Sequence, residues 1–175
     1  MSATVHAGAT AVVTRDEGET RALGALLAGL LEPGDVVLLV GDLGSGKTTL
    51  TKGIVAGLGG GDEVTSPTFT LVHSYATDPV VAHVDTWRLG GTDEVADLAL
   101  DEVLDAGGVA VVEWGELAAP LFGDDALVVH LGPPPEPDGP AERRLVALRA
   151  ASERWRGRVA RLAAAARGAG LEVRP

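Results

Sequence analysis

The sequence predicts a single α/β domain that spans residues 1–175, with a mainly parallel central sheet, helices on both faces and antiparallel strands at the sheet edges. Segments with strand and helix patterns alternate along the chain, which is typical of a parallel sheet. Residues 36–40 (Val-Val-Leu-Leu-Val) are continuously aliphatic, as in a strand that is buried on both faces. Paired strand-like segments near 69–84 and 126–148 favour the antiparallel additions.

The first half of the chain predicts two strands and two helices in alternation. Within 17–31, leucines recur at the three- and four-residue spacing of an apolar helix face. Pro33 and Gly34 then end this helix, and a glycine-rich loop at 41–48 follows the aliphatic strand. The predicted elements are a strand at 4–13, a helix at 17–31, a strand at 36–40 and a helix at 49–58.

The second half of the chain predicts five strands and two helices. Asp78-Pro79 is a turn signal between two of the strands. Residues 132–140 hold five of the ten prolines and predict a long hairpin loop, while Ser152 is suited to cap the last helix. The predicted strands are 69–75, 80–84, 109–112, 126–131 and 144–148, and the predicted helices are 93–104 and 152–167.

The composition excludes several classes of protein. The chain has no cysteine, which excludes a disulfide framework, a thiolate zinc site and a cysteine nucleophile. The longest aliphatic run is too short to span a bilayer, and the first fourteen residues lack the pattern of a signal peptide. We therefore expect a cytoplasmic protein with no membrane partner.

The net charge of −11 is divided unevenly along the chain. Residues 1–140 carry a net charge of −17, whereas residues 141–175 carry nine arginines and three glutamates, a net charge of +6. The basic C-terminal helix and tail, 152–175, favour either a solvated helix or a contact with RNA or an acidic partner. On this helix we expect Trp155 to anchor an apolar stripe, and Arg154, Arg158 and Arg161 to form an exposed basic stripe.

The loop at 41–48 (Gly-Asp-Leu-Gly-Ser-Gly-Lys-Thr) matches the phosphate-binding pattern G-x-x-x-x-G-K-[ST] in full. Gly44 and Gly46 allow the backbone to turn its N–H groups towards phosphate oxygens, and the following helix presents its positive end. Lys47 then reaches the β- and γ-phosphates, and the Thr48 hydroxyl is suited to bind Mg²⁺. The motif, between a strand and a helix, predicts a P-loop NTPase-like fold.

Two acidic residues follow buried strands, as the second half of an NTPase site requires. Glu113 follows the aliphatic residues 109–112, and Asp85 follows residues 80–84. For either carboxylate alone, the alternative interpretation is a surface group at the end of a strand. The Ser66-Pro67-Thr68 segment offers hydroxyls on a loop of the kind that senses a γ-phosphate, or forms a simple turn. His83 is interpreted as a core residue more readily than as a ligand or base.

The missing amide residues narrow the class of NTPase. The chain contains neither Asn nor Gln, which excludes the guanine-reading Asn-Lys-x-Asp motif and the glutamine-dependent motifs of ABC ATPases. Between Lys52 and Arg143 the only basic residue is Arg88. A small-molecule kinase needs several cationic side chains to bind a second anionic substrate, and this stretch lacks them. A small-molecule kinase and a non-hydrolysing nucleotide sensor remain as alternatives to an ATPase.

Four blocks in order resemble the TsaE (YjeE) family, the bacterial ATPases of tRNA threonylcarbamoyladenosine biosynthesis. The blocks are 41–49 with the phosphate loop, 66–72 (Ser-Pro-Thr-Phe-Thr-Leu-Val), 83–89 (His-Val-Asp-Thr-Trp-Arg-Leu) and 112–114 (Val-Glu-Trp). Two positions depart from the family pattern, because Trp87 and Phe69 stand where a tyrosine is common. Both substitutions keep the ring and lose a hydroxyl, so we assign neither residue to acid–base chemistry.

The resemblance implies slow, Mg²⁺-dependent ATP hydrolysis in association with the TsaD and TsaB proteins. It also implies that the chain contacts tRNA only indirectly, through that complex. It implies catalytic roles for Lys47, Asp85 and Glu113 and metal binding by Thr48 and Glu113. An arginine after the proline-rich loop is also implied, for which Arg143 and Arg144 both qualify. The predicted ATP-binding residues are Glu17, Thr20, Asp42, Leu43, Gly44, Ser45, Gly46, Lys47, Thr48, Thr49, Asp85 and Arg143. The predicted switch-like loop is Ser66, Pro67, Thr68, Phe69 and Thr70.

Overall fold

One eight-stranded sheet organises the protein in the computed structural model, which describes residues 9–61, 63–136 and 139–175. The strand order is β3-β4-β5-β2-β6-β7-β1-β8. The strands are β1 (Thr10–Thr14), β2 (Val36–Val40), β3 (Val72–Tyr75), β4 (Val81–Asp85), β5 (Val109–Glu113), β6 (Leu127–Gly132), β7 (Arg144–Ala150) and β8 (Glu172–Arg174).

The four central strands, β4, β5, β2 and β6, run parallel to one another. Strand β3 adds to β4 in antiparallel fashion at one side, and β7, β1 and β8 continue antiparallel at the other. This arrangement confirms the predicted α/β class with its parallel centre and antiparallel edges. The central strands are almost entirely apolar because both of their faces are covered.

Helices cover both faces of the sheet. Those of the described residues are α1 (Glu17–Ala28), α2 (Lys47–Gly57), α3 (Thr92–Ala96), α4 (Leu100–Asp105), α5 (Ala119–Phe122) and α6 (Glu153–Gly168). Buried residues of α1, α2 and α6 pack with one face of the central strands. Those of α3 and α4 pack with the opposite face, so the sheet forms the middle of three layers.

Helices α1 and α2 pack closely because glycines face each other across their contact. A Cβ atom on Gly24 would lie 2.4 Å from the carbonyl oxygen of Leu50, and one on Gly53 would lie 2.1 Å from that of Arg21. No side chain fits at either position without moving the helices apart. This contact fixes α2, and therefore the loop that precedes it, against the first helix.

Several element boundaries differ from those predicted. The helix predicted at 93–104 is two short helices, since Ala99 takes a left-handed conformation (φ 53°) between α3 and α4. The strand predicted at 69–75 starts at Val72, because residues 68–70 form a turn and Leu71 has φ 65°. Strand β8 was not predicted, and residues 4–8 of the first predicted strand lie outside the described residues.

The prediction of an exposed stripe of three arginines on α6 is wrong for Arg158. Trp155 is fully buried and anchors the apolar stripe as predicted, but Arg158 is also buried. Its guanidinium donates to Asp35 Oδ2 at 2.5 Å and pairs with Glu32, while Arg154 pairs with Asp35 Oδ1. Burial is possible because this helix packs over the acidic turn that precedes β2, where the charges are compensated.

Within the described ranges, no helix combines the length and apolar character needed to cross a membrane.

Candidate functional site

A cavity of about 390 Å³ opens at the carboxyl ends of the central parallel strands. Ligands of open α/β sheets bind at this edge, beyond the carboxyl ends of the strands. The predicted residues that line it are Glu17, Thr20, Leu43, Gly44, Ser45, Gly46, Lys47, Thr48, Thr49, Ser66, Thr68, Asp85 and Glu113. The cavity therefore unites all four sequence blocks described above.

Five predicted residues do not line this cavity: Asp42, Pro67, Phe69, Thr70 and Arg143. Asp42 still belongs to the phosphate loop, where its carbonyl accepts from Lys47. Phe69 is 83% exposed and lies beside the Arg88 guanidinium, 4.2 Å from its ring centroid. Its nucleotide-sensing role therefore remains a prediction that no contact with the cavity supports.

The phosphate loop takes the conformation that its glycines predict. Gly44 and Gly46 have φ angles of 74° and 104°, in the left-handed region that favours glycine. Helix α2 begins at Lys47, directly after Gly46, so its N-terminal N–H groups lie at the cavity. A helix N-terminus of this kind attracts anions through its free N–H groups and its dipole.

The ammonium group of Lys47 lies over the loop. Its Nζ donates to the carbonyl oxygens of Gly41 at 2.6 Å and Asp42 at 2.9 Å, and lies 3.9 Å from the ring centroid of Trp114. Burial lowers the pKa of Lys47 below its usual value, although Glu113 and other nearby carboxylates oppose the shift. The side chain is thus a cation with few charged partners, placed where an anion would compensate it.

Glu113 connects the phosphate loop to the sheet. Its Oε1 accepts a hydrogen bond of 2.8 Å from the Thr48 hydroxyl and another of 2.8 Å from His83 Nε2. Glu113 ends β5, and Thr48 belongs to the first turn of α2, so the contact joins residues 65 positions apart. This pair has the hydroxyl and carboxylate oxygens that suit Mg²⁺.

Asp85 connects the Ser66–Thr68 segment to the same edge of the sheet. Its Oδ2 accepts from the Ser66 hydroxyl at 2.6 Å and from the Thr68 hydroxyl at 2.8 Å. Its Oδ1 accepts from the backbone N–H of Trp87 at 2.9 Å. Two hydrogen bonds to this buried carboxylate hold the segment at the cavity, and the third fixes the carboxylate itself.

The structure brings Arg144, and not Arg143, to the cavity. One terminal nitrogen of Arg144 donates to the carbonyl oxygen of Gly44 at 3.1 Å, and its side chain lines the cavity wall. Arg144 is the first residue of β7, whereas Arg143 precedes that strand and does not line the cavity. The choice of Arg143 as the arginine at the site is corrected to Arg144.

Glu17 and Thr20 reach the cavity from the first turn of α1. Asp16 caps this helix, since its side chain accepts from the backbone N–H of Glu19 at 2.8 Å. Thr20 is held by a buried hydroxyl contact of 2.8 Å with Thr14 of β1. The helix start is therefore fixed relative to the phosphate loop, with two polar side chains at the cavity wall.

Sequence reasoning did not assign Trp87, Trp114 and Glu142 to the site, yet all three line the cavity. The two tryptophan rings lie 4.3 Å apart between centroids, and Trp114 has φ 57°, unusual for a bulky residue. The sequence did mark the two tryptophans as site candidates, because Trp114 directly follows Glu113 and Trp87 lies two residues after Asp85. No comparable signal marked Glu142.

The residues of the cavity suit a cation whose other coordinating atoms come from a bound substrate. No group of three or more His, Asp or Glu side chains among the described residues is arranged to hold a metal by itself. Thr48 and Glu113 supply two oxygen-bearing side chains next to the anion-binding loop. Mg²⁺ usually takes one or two protein ligands together with substrate phosphates and waters, which matches this donor set.

Comparisons with known proteins agree with the four blocks. Residues 14–137 match the family model "Threonylcarbamoyl adenosine biosynthesis protein TsaE". The tRNA threonylcarbamoyladenosine biosynthesis protein TsaE of Streptomyces coelicolor is 46% identical over 139 residues, which cover 77% of this chain and 93% of that protein. The protein of the same name from Bacillus subtilis is 48% identical over 101 residues, covering 57% of this chain and 62% of the relative.

A solved structure agrees with the fold. The crystal structure of YdiB from Bacillus subtilis superposes with a TM-score of 0.68 at 31% sequence identity, over 87% of this chain and 92% of the other. The family model covers most of the chain, including the phosphate loop and the strands that carry Asp85 and Glu113. The chain therefore belongs to the TsaE family of threonylcarbamoyl adenosine biosynthesis proteins.

Proposed function

We propose that this protein is a Mg²⁺-dependent ATPase of tRNA threonylcarbamoyladenosine biosynthesis that acts in the cytoplasm together with the TsaD and TsaB proteins. The observation that carries the proposal is the contact between Thr48 and Glu113 directly below the phosphate loop. This contact places a hydroxyl and a carboxylate together where an anion-binding loop meets two parallel strands. Membership in the TsaE family supports the pathway.

The phosphate loop would bind the nucleotide through backbone and side-chain groups together. The N–H groups around Gly44 and Gly46 and the start of α2 bind phosphate oxygens, and Lys47 moves from the loop carbonyls to the β- and γ-phosphates. Arg144 contacts the loop at the Gly44 carbonyl and adds a second positive charge to the cavity. Glu17 and Thr20 contact the nucleotide from the start of α1.

Thr48 and Glu113 would hold Mg²⁺, Glu113 either directly or through a water molecule. When bound, the ion would neutralise charge on the phosphate oxygens during phosphoryl transfer. We assign Asp85 to the hydrolytic step, as the family resemblance implies; the chain has no Gln or Asn to orient a water molecule, which leaves this task to a carboxylate or a hydroxyl. Its carboxylate bonds to Ser66 and Thr68, so the switch-like loop, Ser66–Thr70, controls access to this group.

Phosphate release from ATP, measured with and without Mg²⁺, tests the enzymatic part of the proposal. The purified chain should release phosphate slowly and only with Mg²⁺, and Lys47→Ala should abolish both release and tight ATP binding. Lys52→Ala is the matched control, since Lys52 is the only other lysine and does not line the cavity. Normal hydrolysis by Lys47→Ala would refute the site.

The partners require a separate experiment. The chain should co-purify with TsaD and TsaB of the same organism, and the yield should differ between ATP and ADP. With tRNA and an activated threonylcarbamoyl donor present, addition of the chain and ATP to those two proteins should raise the amount of modified tRNA that they form. Failure to bind the pair with either nucleotide would contradict the assignment to this pathway while leaving the ATPase activity intact.

A further inference from the structure

The buried histidine of β4, His83, has a single polar contact within the described part of the chain. Its side chain is 0% exposed, and Nε2 lies 2.8 Å from Oε1 of Glu113. Its other ring nitrogen, Nδ1, is the one buried side-chain polar atom without a hydrogen-bond partner among the residues that the structure describes. A residue that leaves a polar atom unpaired in a core invites a functional explanation.

The surroundings of His83 favour an aliphatic residue. Side chains alternate along β4, so His83 shares a face with Val81 and Asp85. On the neighbouring strand β5, Val109 and Val111 lie on the same face, and both are fully buried. A leucine or valine at position 83 would fill this space without an unpaired nitrogen, so packing does not explain the imidazole.

The hydrogen bond defines which ring nitrogen carries a proton. A carboxylate only accepts, so Nε2 must donate to Glu113. A proton on Nδ1 would be buried without an acceptor, and the contact therefore favours the tautomer with hydrogen on Nε2. The ring serves as a single N–H donor that is directed at one carboxylate oxygen.

Glu113 has two hydrogen-bond donors, and a bound ligand would withdraw one of them, the Thr48 hydroxyl. Thr48 and His83 both donate to Oε1, and no hydrogen bond to Oε2 is found among the described residues. If the Thr48 hydroxyl turns to a bound cation and phosphate, His83 remains as the donor that holds the carboxylate. Since β4 and β5 are paired in register at this level, the histidine is fixed by the sheet itself.

We infer that His83 is a positioning residue, whose Nε2–H group holds the Glu113 carboxylate towards the nucleotide and Mg²⁺ side of the cavity. The inference rests on the proposed ATP-binding function and adds to it a residue that does not line the cavity. His83 contacts neither substrate nor metal in this role. It acts through Glu113, so its removal should change Mg²⁺-dependent steps and spare Mg²⁺-free binding.

Two substitutions separate the donor from the bulk of the ring. His83→Leu keeps an apolar side chain of similar size and removes the donor, whereas His83→Gln keeps an N–H group that can reach Glu113. ATP affinity is measured through the fluorescence of Trp87 and Trp114, which line the cavity. We expect His83→Leu to reduce the Mg²⁺-dependent gain in ATP affinity about tenfold or more, with Mg²⁺-free affinity unchanged, and His83→Gln to restore most of it.

A double-mutant cycle distinguishes positioning from a general role in the fold. In a Glu113→Ala background, His83→Leu should have no further effect on Mg²⁺-dependent ATP affinity, because the group it positions is absent. An equal loss in both backgrounds would overturn the inference. Retention of the full Mg²⁺ effect in His83→Leu, in a chain shown to be folded by circular dichroism, would overturn it as well.

The contact is also tested without nucleotide. Nitrogen NMR of the histidine rings, with His83 identified from the spectrum of His83→Leu, should show the proton on Nε2 and a shift of that resonance in Glu113→Ala. A proton on Nδ1, or no response to Glu113→Ala, would overturn the inference. If the unmodified chain bound no ATP with Mg²⁺, the proposed function would fall, and the NMR result would still decide whether His83 holds Glu113.

Discussion

Asp85 and Glu113 are register partners at the ends of the adjacent parallel strands β4 and β5, yet their carboxylates bond to different parts of the cavity. Glu113 accepts from Thr48 of the phosphate loop helix, whereas Asp85 accepts from Ser66 and Thr68 of the switch-like loop. The two acidic groups therefore have different partners, one at the start of α2 and the other in the Ser66–Thr68 segment.

The first prediction concerns Glu113. Replacement of Glu113 by Ala should reduce Mg²⁺-dependent ATP hydrolysis by about tenfold or more and leave Mg²⁺-free nucleotide binding nearly unchanged, because the lost oxygens lie on the metal side. Titration of hydrolysis with Mg²⁺ in the variant and the unmodified chain measures this. If Asp85→Ala abolished the Mg²⁺ response and Glu113→Ala preserved it, the two assigned roles would be exchanged.

The second prediction concerns the switch-like loop. Asp85→Ala removes the acceptor of the Ser66 and Thr68 hydroxyls, and hydrogen bonds to a charged group are worth about 1.5–3 kcal/mol each. Amide hydrogen exchange should therefore accelerate across residues 66–71 without a change in the central strands.

Asp97→Ala serves as the control for this measurement, since Asp97 is an exposed carboxylate and the Ser66 and Thr68 hydroxyls donate to Asp85. Ser66→Ala combined with Thr68→Ala should reproduce the faster exchange while the Asp85 carboxylate remains. Slow exchange across 66–71 in both variants would show that these hydroxyl contacts do not hold the loop.

The third prediction follows from the lowered pKa of Lys47. Burial favours the neutral amine of Lys47 in the folded chain. The neutral amine therefore contributes fully to the free energy of unfolding above the ordinary pKa of lysine, and this contribution is lost as pH falls through the lowered pKa. Phosphate binding requires the ammonium form, so ATP affinity should decline as pH rises through the lowered pKa.

Calorimetry in two buffers of different ionisation enthalpy measures this linkage. At alkaline pH, up to about 10, ATP binding should take up a proton, because phosphate returns the Lys47 pKa towards or above its ordinary value. Lys52→Ala should keep the same proton uptake. Binding that takes up no proton at any alkaline pH would exclude Lys47 as the linked group.

The fourth prediction concerns the arginines of α6. Arg158→Ala leaves Asp35 buried with only Arg154 as its charged partner, and removal of one side of a buried pair should destabilise the fold by about 3 kcal/mol. Arg161→Ala, on the exposed part of the same helix, should change stability by no more than about 0.5 kcal/mol. Urea unfolding of both variants tests this, and equal midpoints would refute a structural role for Arg158.

Much of the site was predictable because its chemistry is local in sequence. The P-loop pattern fixes Lys47 and Thr48 next to a strand and a helix, and the aliphatic runs before Asp85 and Glu113 place both at one sheet edge. The residue pattern alone did not divide the roles of the two carboxylates, since these depend on which hydroxyl each one meets across the fold, and only the family resemblance implied metal binding by Glu113. The point at which β7 begins decided between Arg143 and Arg144, because Arg144 is its first residue and pairs with Thr14 of β1.

The fold was predictable where periodicity is strong and less so where single backbone angles decide. The aliphatic strands and the leucine-rich α1 carry clear patterns, whereas the break at Ala99 depends on one left-handed residue that no pattern marks. The burial of Arg158 illustrates a further limit. Helix periodicity locates a residue on a face, but whether that face meets water or a buried carboxylate depends on tertiary packing.

The carboxylate of Asp35 lies within the stretch that matches the family model, while Arg154 and Arg158, which neutralise it, lie beyond the end of that match. In this chain the charge of Asp35 is thus compensated by a helix that lies beyond the matched stretch. Among relatives, the charge at this position and the arginines of the last helix should be gained and lost together during evolution.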